Sequence, residues 1–257
     1  MTEKEFSDAR AAVLSADGLT RQGIGTLGEK TLHRILKTAV CPDPRCHEIP
    51  LSGSVADVFS SGEISEIQTR SFERLRPKLE KFLPKYPVTI YYPIAYVKYI
   101  RWIDSSTGEM SERRKSPKTG TFHDAFFELY KLRDFLSHPN LRVALLLLNM
   151  DEYRLKNGWD KTGKRGSERA ERIPTLLKGS ALLASAEDYK DTFLPPLSSP
   201  FTVKEYAAAT RLKRRYAYCG IRILMSVGVL SCVGKRCREN LYACRADASE
   251  GLPESDR

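Results

Sequence analysis

Residues Val55 to Phe72, VADVFSSGEISEIQTRSF, constrain the fold more than any other stretch. Two runs of strand-type residues flank a Ser-Ser-Gly turn signal. Both carry polar groups: Asp57 in the first, Glu66 and Gln68 in the second. Successive side chains on a strand point to opposite faces, so Glu66 and Gln68 share one face and Ile67 takes the other. A turn at residues 60–62 folds the runs into a hairpin and lays Asp57 beside the Glu66 region. Carboxylates placed there form either a solvated outer face or ligands on an inner one. Two carboxylates brought together repel and lose water, and a divalent cation relieves both costs. Mg²⁺ (or Mn²⁺), held by one or two carboxylates with waters and a substrate phosphate, would activate a bound water and stabilise a phosphate under attack.

The surrounding pattern alternates helices and strands. TLGEKTLHRILKTA predicts a helix with Leu32, Ile35, Leu36 and Ala39 on one stripe, and Glu29 falls on that same stripe. HEIPLSG predicts a strand before the hairpin. RLRPKLEKFLPKY predicts a helix that buries Leu75, Leu79, Phe82 and Leu83, with Pro77 near its start. PVTIYYPI reads as a buried strand, AYVKYIRWID and MSERRK as a hairpin, and FHDAFFELYKLRDFLSH as a helix stopped by Pro139. LRVALLLLNM is an apolar run of strand length, with Asp151 and Glu152 at a turn after it. RLKNGWDKTGKRGSERAERIP reads as a basic, Gly-rich loop, and LPPLSSP, Leu194 to Pro200, as a linker.

A helix with Glu29, a strand, a strand with Asp57, a strand with Glu66-x-Gln68, then a helix resembles the core of the PD-(D/E)xK, or restriction-endonuclease-like, nuclease superfamily. The similarity spans roughly residues 26–95. It implies that Asp57 and Glu66 bind the metal, that Glu29 supports it as the helix glutamate of the Holliday-junction-resolvase-like branch does, and that Gln68 orients the attacking water. The superfamily usually has Lys where this chain has Gln68. Gln is neutral and cannot take a proton, yet it can hold a water by hydrogen bonds, and some active restriction enzymes of the superfamily carry Gln there. Arg70, two residues on, is a candidate for the missing charge. Over nearly the whole chain, VADVF, EIQTRSF, FLPKYPVTIYYPI and RKSPKTGT resemble a bacterial family known only as a domain of unknown function.

The C-terminal third has its own character. Residues 201–245 hold ten Lys and Arg against Glu205 and Glu239, a concentration that favours a binding face for a polyanion. TVKEYAAAT predicts a short helix with a Thr202/Glu205 capping box, and KRRYAYCGIRILMSVG a second helix ended by Gly228. VLSCVGKRCRENLYA predicts a hairpin turning at Gly234–Arg236. The order resembles a winged helix-turn-helix. That resemblance makes the second helix the DNA-reading one, with Lys213 and Arg214 at its start and Arg215, Tyr218 and Arg222 on its outer side, and places Lys235 and Arg236 at the wing tip. A winged helix used for protein contact is the alternative.

Other signals exclude more than they assign. The 257-residue chain carries a net charge of +10 and has no apolar run of 18 residues. Its N-terminus lacks a signal-peptide apolar stretch, so a cytoplasmic protein with no membrane partner is expected. Cys41, Cys46, Cys219, Cys232, Cys237 and Cys244 lack paired zinc spacing, and CPDPRCH reads as a loop with incidental thiols. RRKSPKTGT and GKRGSER each read as a mobile basic loop or, less simply, a phosphate clamp. His123 and His138 read as surface or capping residues.

The expected fold is therefore α/β: a restriction-endonuclease-like mixed-sheet core flanked by helices, plus a small C-terminal winged helix. The expected boundaries are an arm at 1–25, the nuclease-like domain at 26–197, the winged helix at 198–245 and a disordered tail at 246–257. The expected activity is Mg²⁺-dependent hydrolysis of DNA phosphodiesters. The alternative is a non-catalytic DNA-binding regulator on an inactivated nuclease fold. Cutting both strands at one site needs two active sites, so the enzyme reading implies a homodimer or a pair of nicks. RNA and branched DNA stay open as substrates.

Overall fold

A computed structural model describes residues 1–16, 31–104, 106–156 and 168–245. The expected tail at 246–257 and most of the expected Gly-rich loop lie outside the described residues. Contacts divide the chain into two compact units, each built from separated stretches. The first comprises Met1–Thr69, Thr89–Thr121 and Ala144–Ser180; the second comprises Arg70–Val88, Phe122–Val143 and Ala181–Arg257. The LPPLSSP segment thus lies inside the second unit, where the sequence reading placed a domain boundary.

The first unit is built on a mixed sheet. Its strands are β1 (His47–Leu51), β2 (Ser54–Ser60), β3 (Glu63–Ile67), β4 (Val88–Ile103), β5 (Arg114–Thr119), β6 (Leu141–Leu155) and β7 (Glu168–Leu183). They are ordered β1-β2-β3-β4-β6-β7, with β5 paired to β4. The β1–β2 and β2–β3 pairs are antiparallel hairpins closed by Ser52-Gly53 and Ser61-Gly62. All four turn residues have positive φ, the geometry of the two-residue turn that matches strand twist. β4 and β6 run parallel, because Val88 N donates to Asn140 O at one end and Lys156 N to Ile103 O at the other.

Helix α2 (Thr31–Val40) buries Leu32, Ile35, Leu36 and Ala39, the stripe its spacing predicts. It packs with Val58, Ile67, Leu146, Leu148 and Met150 into one apolar cluster. Each such buried side chain contributes about 1.5–3 kcal/mol of transfer free energy. The N-terminal segment, expected as an arm with a short helix, is the 14-residue helix α1 (Glu3–Ala16). Phe6 and Val13 seat it in the same cluster. Thr2 and Glu5 exchange capping-box bonds at its start, a T-x-x-E signal that was present in the sequence.

Two strands depart from expectation. PVTIYYPI and AYVKYIRWI form a single 16-residue strand, β4. Residues 168–183, expected in part as loop, form β7. Pro174 and Gly179 hid the strand, and Pro174 is tolerated because β7 closes the order at an edge. Its carbonyl accepts from Arg10 Nε at 2.9 Å. Asp151 and Glu152 lie within β6 rather than in a turn after it. Buried Glu152 accepts from Arg154 Nε at 2.7 Å and lies 3.5 Å from Lys98 Nζ.

The second unit is mostly helical: α3 (Arg76–Phe82), α4 (Phe126–Lys131), α5 (Ala186–Phe193), α6 (Val203–Thr210) and α7 (Arg214–Ser226), with a hairpin of β8 (Leu230–Arg236) and β9 (Glu239–Cys244). Pro77 occupies the first turn of α3, where its missing N–H costs nothing. The helix expected over FHDAFFELYKLRDFLSH is regular only across α4. Gly220 lets α7 close on α4 and α6: a Cβ there would stand 2.5 Å from Phe126 Cε2 and 3.0 Å from Tyr206 Oη. Tyr206 donates to Phe193 O at 2.8 Å and is wholly buried. Phe201, just before α6, pairs with Tyr242 of β9 through two backbone bonds. The hairpin turns at Cys237-Arg238, beyond the expected place, since Arg236 pairs with Glu239. Gly234, which signalled the turn, sits instead at a register shift, a known use of strand glycine. Among the described residues, no helix is long and apolar enough to cross a membrane.

Candidate functional site

The β2–β3 ladder pairs Ser60 with Glu63, Phe59 with Ile64 and Val58 with Ser65. One step further along that register, Asp57 stands opposite Glu66. There side chains take the place of ladder bonds. Ile67 N donates to Asp57 Oδ2 at 2.8 Å, and Asp57 N donates to Glu66 Oε1 at 3.4 Å. Each carboxylate reaches the backbone of the other strand, so the two converge. Glu66 is only 2% exposed, and the Asp57 side chain 16%. A solvated outer face is therefore not what these residues form. Glu66 and its neighbour Ile67 are both buried, which shows β3 covered on both sides.

His33 was not expected at this site. It projects from α2 and places Nε2 3.2 Å from Asp57 Oδ2. No local pattern marks it; the contact needs α2 laid against β2. Gln68 lies just past β3, half-buried, and its backbone N–H donates to Tyr91 O on β4 at 3.0 Å. Arg70 is exposed on a bend after the strand, so the two-residue period that aligned it with Gln68 no longer applies. Glu29 lies outside the described residues.

Asp57 and Glu66 supply carboxylate oxygens, the donor type that Mg²⁺ takes together with water and phosphate. Among the described residues, no group of three or more His, Cys, Asp or Glu is arranged to hold a metal ion. Cys41, Cys46 and His47 follow that rule. The His47 ring bonds Cys41 O at 2.8 Å, and both thiols are free of disulfides. The Cys46 thiol is pushed up by its bond to the Cys41 thiol.

The basic surface of the second unit centres on α7. Lys213, Arg214, Arg215 and Tyr218 are exposed along its first two turns, Tyr218 at 47%. Arg214, Arg215 and Tyr218 line an open groove of about 500 Å³ with Arg238 and Asn240 of the hairpin. Sequence reading did not single out Arg238 or Asn240, because the turn was set two residues early. Arg214 contacts Glu239 at 3.3 Å, and Arg215 lies 4.7 Å over the Phe127 ring. Arg222 is half-buried, while Lys235 is exposed on β8. Arg236 is not at the tip: its guanidinium donates twice to Glu205, at 3.1 and 3.0 Å, and ties the hairpin to α6. Glu205 is held below the usual carboxylate range first by the Thr202 N–H and hydroxyl, and then by Arg236.

RRKSPKTGT is not a mobile loop, since most of it is β5. GKRGSER falls on residues 163–169, whose side chains lie outside the description. His123 is half-buried; its ring meets Phe126 and Phe193 at centroid distances of 5.2 and 5.7 Å, and burial pushes its pKa down.

These features define a mixed α/β protein with an acidic cross-strand pair in one unit and a basic helix–hairpin face in the other. A family profile described as a domain of unknown function (DUF8091) matches residues 30–184. A protein of Treponema pallidum (strain Nichols), named only "Uncharacterized protein", is 31% identical over 227 residues, covering 85% of this chain and 86% of its own. The chain belongs to the DUF8091 family. No solved structure matches it.

Proposed function

We propose that the protein is a metal-dependent DNA endonuclease with a restriction-endonuclease-like core, and that a C-terminal winged helix formed by α6, α7 and the β8–β9 hairpin holds the DNA. The observation that carries the reading is the cross-strand meeting of Asp57 and Glu66 where the β2–β3 ladder gives way. Two carboxylates held on facing strands and largely out of water each gain from a cation placed beside them. Asp57 and Glu66 would hold Mg²⁺ or Mn²⁺, which lowers the pKa of a bound water and neutralises charge on the scissile phosphate. The Gln68 amide would orient the attacking water, and His33 would fix the Asp57 carboxylate. Lys213, Arg214, Arg215, Tyr218 and Arg238 offer the cations and the aromatic that a DNA-reading helix and wing present. Cutting both strands would need a second copy of the chain.

One observation favours a second reading. Asp57 already satisfies a backbone N–H and His33, and Gln68 stands where a lysine usually serves. A fold that kept its acidic pair as a structural clasp would act as a DNA-binding regulator. Nicking of supercoiled plasmid separates the two, with Mg²⁺, Mn²⁺ or EDTA and with wild type, Glu66→Ala and Gln68→Lys. Metal-dependent nicking abolished in Glu66→Ala supports the enzyme. Nicking by Gln68→Lys alone identifies a retained site without its catalyst. Salt-sensitive DNA binding without nicking by any form overturns the enzyme reading in favour of the regulator.

A further inference from the structure

The first unit carries a groove that the acidic pair does not use. It lies between the outer half of β4 and the edge strand β5, has a volume of about 620 Å³, and is lined by Ile100, Trp102, Arg114, Lys115, Pro117 and Thr119. That volume falls within the usual range for ligand sites. Ile100 pairs with Arg114 across the two strands and Trp102 follows Ile100, so these three share a face, while Lys115 pairs with Tyr99, starts from the opposite face and borders the groove.

The cations here differ from their neighbour in one respect. Arg113 is engaged within the fold: it lies 3.3 Å over the Tyr99 ring and 2.7 Å from Asp151. Arg114 and Lys115 are exposed and have no carboxylate partner among the described residues. From Arg113 to His123 the sequence contains no acidic residue. The groove is therefore complementary to an anion. The backbone that carries its aromatic is tied to Ser111 through both its N–H and its C=O. Trp102 N donates to Ser111 Oγ at 2.9 Å, and Ser111 N donates back to Trp102 O at 2.8 Å. The Arg154 guanidinium, anchored by buried Glu152, stands 5.8 Å from the indole.

An anchored aromatic with an unneutralised cation on its own face and a second at the groove's border suits unpaired nucleotides, with a base stacked on the ring and phosphates on Arg and Lys. We infer that this groove binds single-stranded nucleic acid, stacking one base on Trp102 and holding adjacent phosphates with Arg114 and Lys115. A paired base cannot offer its face to the indole, so duplex does not fit. The inference shares with the preceding reading the premise that the chain meets nucleic acid, and rests on different residues.

The sequence has two tryptophans, so Trp159→Phe leaves Trp102 as the only indole. Titrating that variant with an oligothymidylate is expected to quench its emission saturably, less so as salt rises. Adding Arg114→Ala and Lys115→Ala should weaken the quench about tenfold or more, whereas adding Lys213→Ala and Arg214→Ala should leave it in place. Unchanged emission with oligothymidylate overturns the inference, and duplex binding that depends on α7 would then still support the preceding reading. Equal quenching by polyglutamate also overturns it, since an acidic peptide would then be the occupant. A persistent quench alongside failed duplex binding supports the inference and sinks the winged-helix reading alone.

Discussion

Replacing Gly220 by Ala tests the packing that seats α7. A methyl there would stand 2.5 and 2.8 Å from Phe126 Cε2 and Cζ and 3.0 Å from Tyr206 Oη. Neither neighbour gives way easily. The Phe126 ring is fully buried, 4.8 Å from Phe193 and 5.2 Å from His123 between centroids, and the Tyr206 hydroxyl is committed to Phe193 O. Overfilling a closed core costs about 1–3 kcal/mol, and Gly→Ala inside a helix returns about 1 kcal/mol. At so short a distance the first effect is at the top of its range, which leaves a net loss of about 1–2 kcal/mol. For a chain of this size that lowers Tm by about 2–8 °C. Thermal and urea unfolding of wild type and Gly220→Ala measure it. A cycle with Phe126→Leu isolates the cause, because shrinking the ring should cost less when combined with Gly220→Ala than in wild type. A Gly220→Ala protein as stable as wild type, or more so, would show helix propensity winning and refute the close approach. The same variant should weaken DNA binding, since α7 would be lifted from its seat.

Thr202→Ala removes the hydroxyl that caps α6 and accepts from Glu205 N, and is expected to cost about 1 kcal/mol in urea unfolding. Lys213→Ala and Arg214→Ala should each lower duplex affinity across sequences and reduce the salt slope by about one, read by anisotropy over a salt series. Burial among Phe126 and Phe193 lowers the His123 pKa in the folded state, so the unfolded chain binds the proton more readily. Stability is then full above the unfolded value of about 6.5 and falls as pH drops from there through the folded pKa. His123→Phe should flatten that part of the urea-midpoint profile, and an unchanged slope would remove His123 as its source.

Much of the local architecture was legible because its causes lie within a few residues. The Ser-Gly pairs closed both hairpins, the α2 stripe was buried as its spacing required, and Thr202 and Glu205 capped α6 as their spacing predicted. At the N-terminus an arm with a short helix was expected, and the Thr2/Glu5 capping signal marks the longer helix α1. β7 was hidden by Pro174 and Gly179, residues that break a central strand and not an edge one. The hairpin turn was set early because Gly234 signals either a turn or a bulge, and only the partner strand distinguishes them.

The sequence by itself determined the alternating elements, the place of Asp57 and Glu66 on adjacent strands, and the clustering of cations near the C-terminus, since all three follow from period and order along the chain. The tertiary structure decided what those groups face. It buried Glu66, brought His33 to Asp57 across 24 positions, paired Arg236 with Glu205 and Arg113 with Tyr99, and left Arg114 and Lys115 without a carboxylate among the described residues. The reason is range. Turns and caps are settled by a few neighbouring dihedrals, whereas burial and ion pairing depend on which distant surface arrives, and no local pattern carries that information.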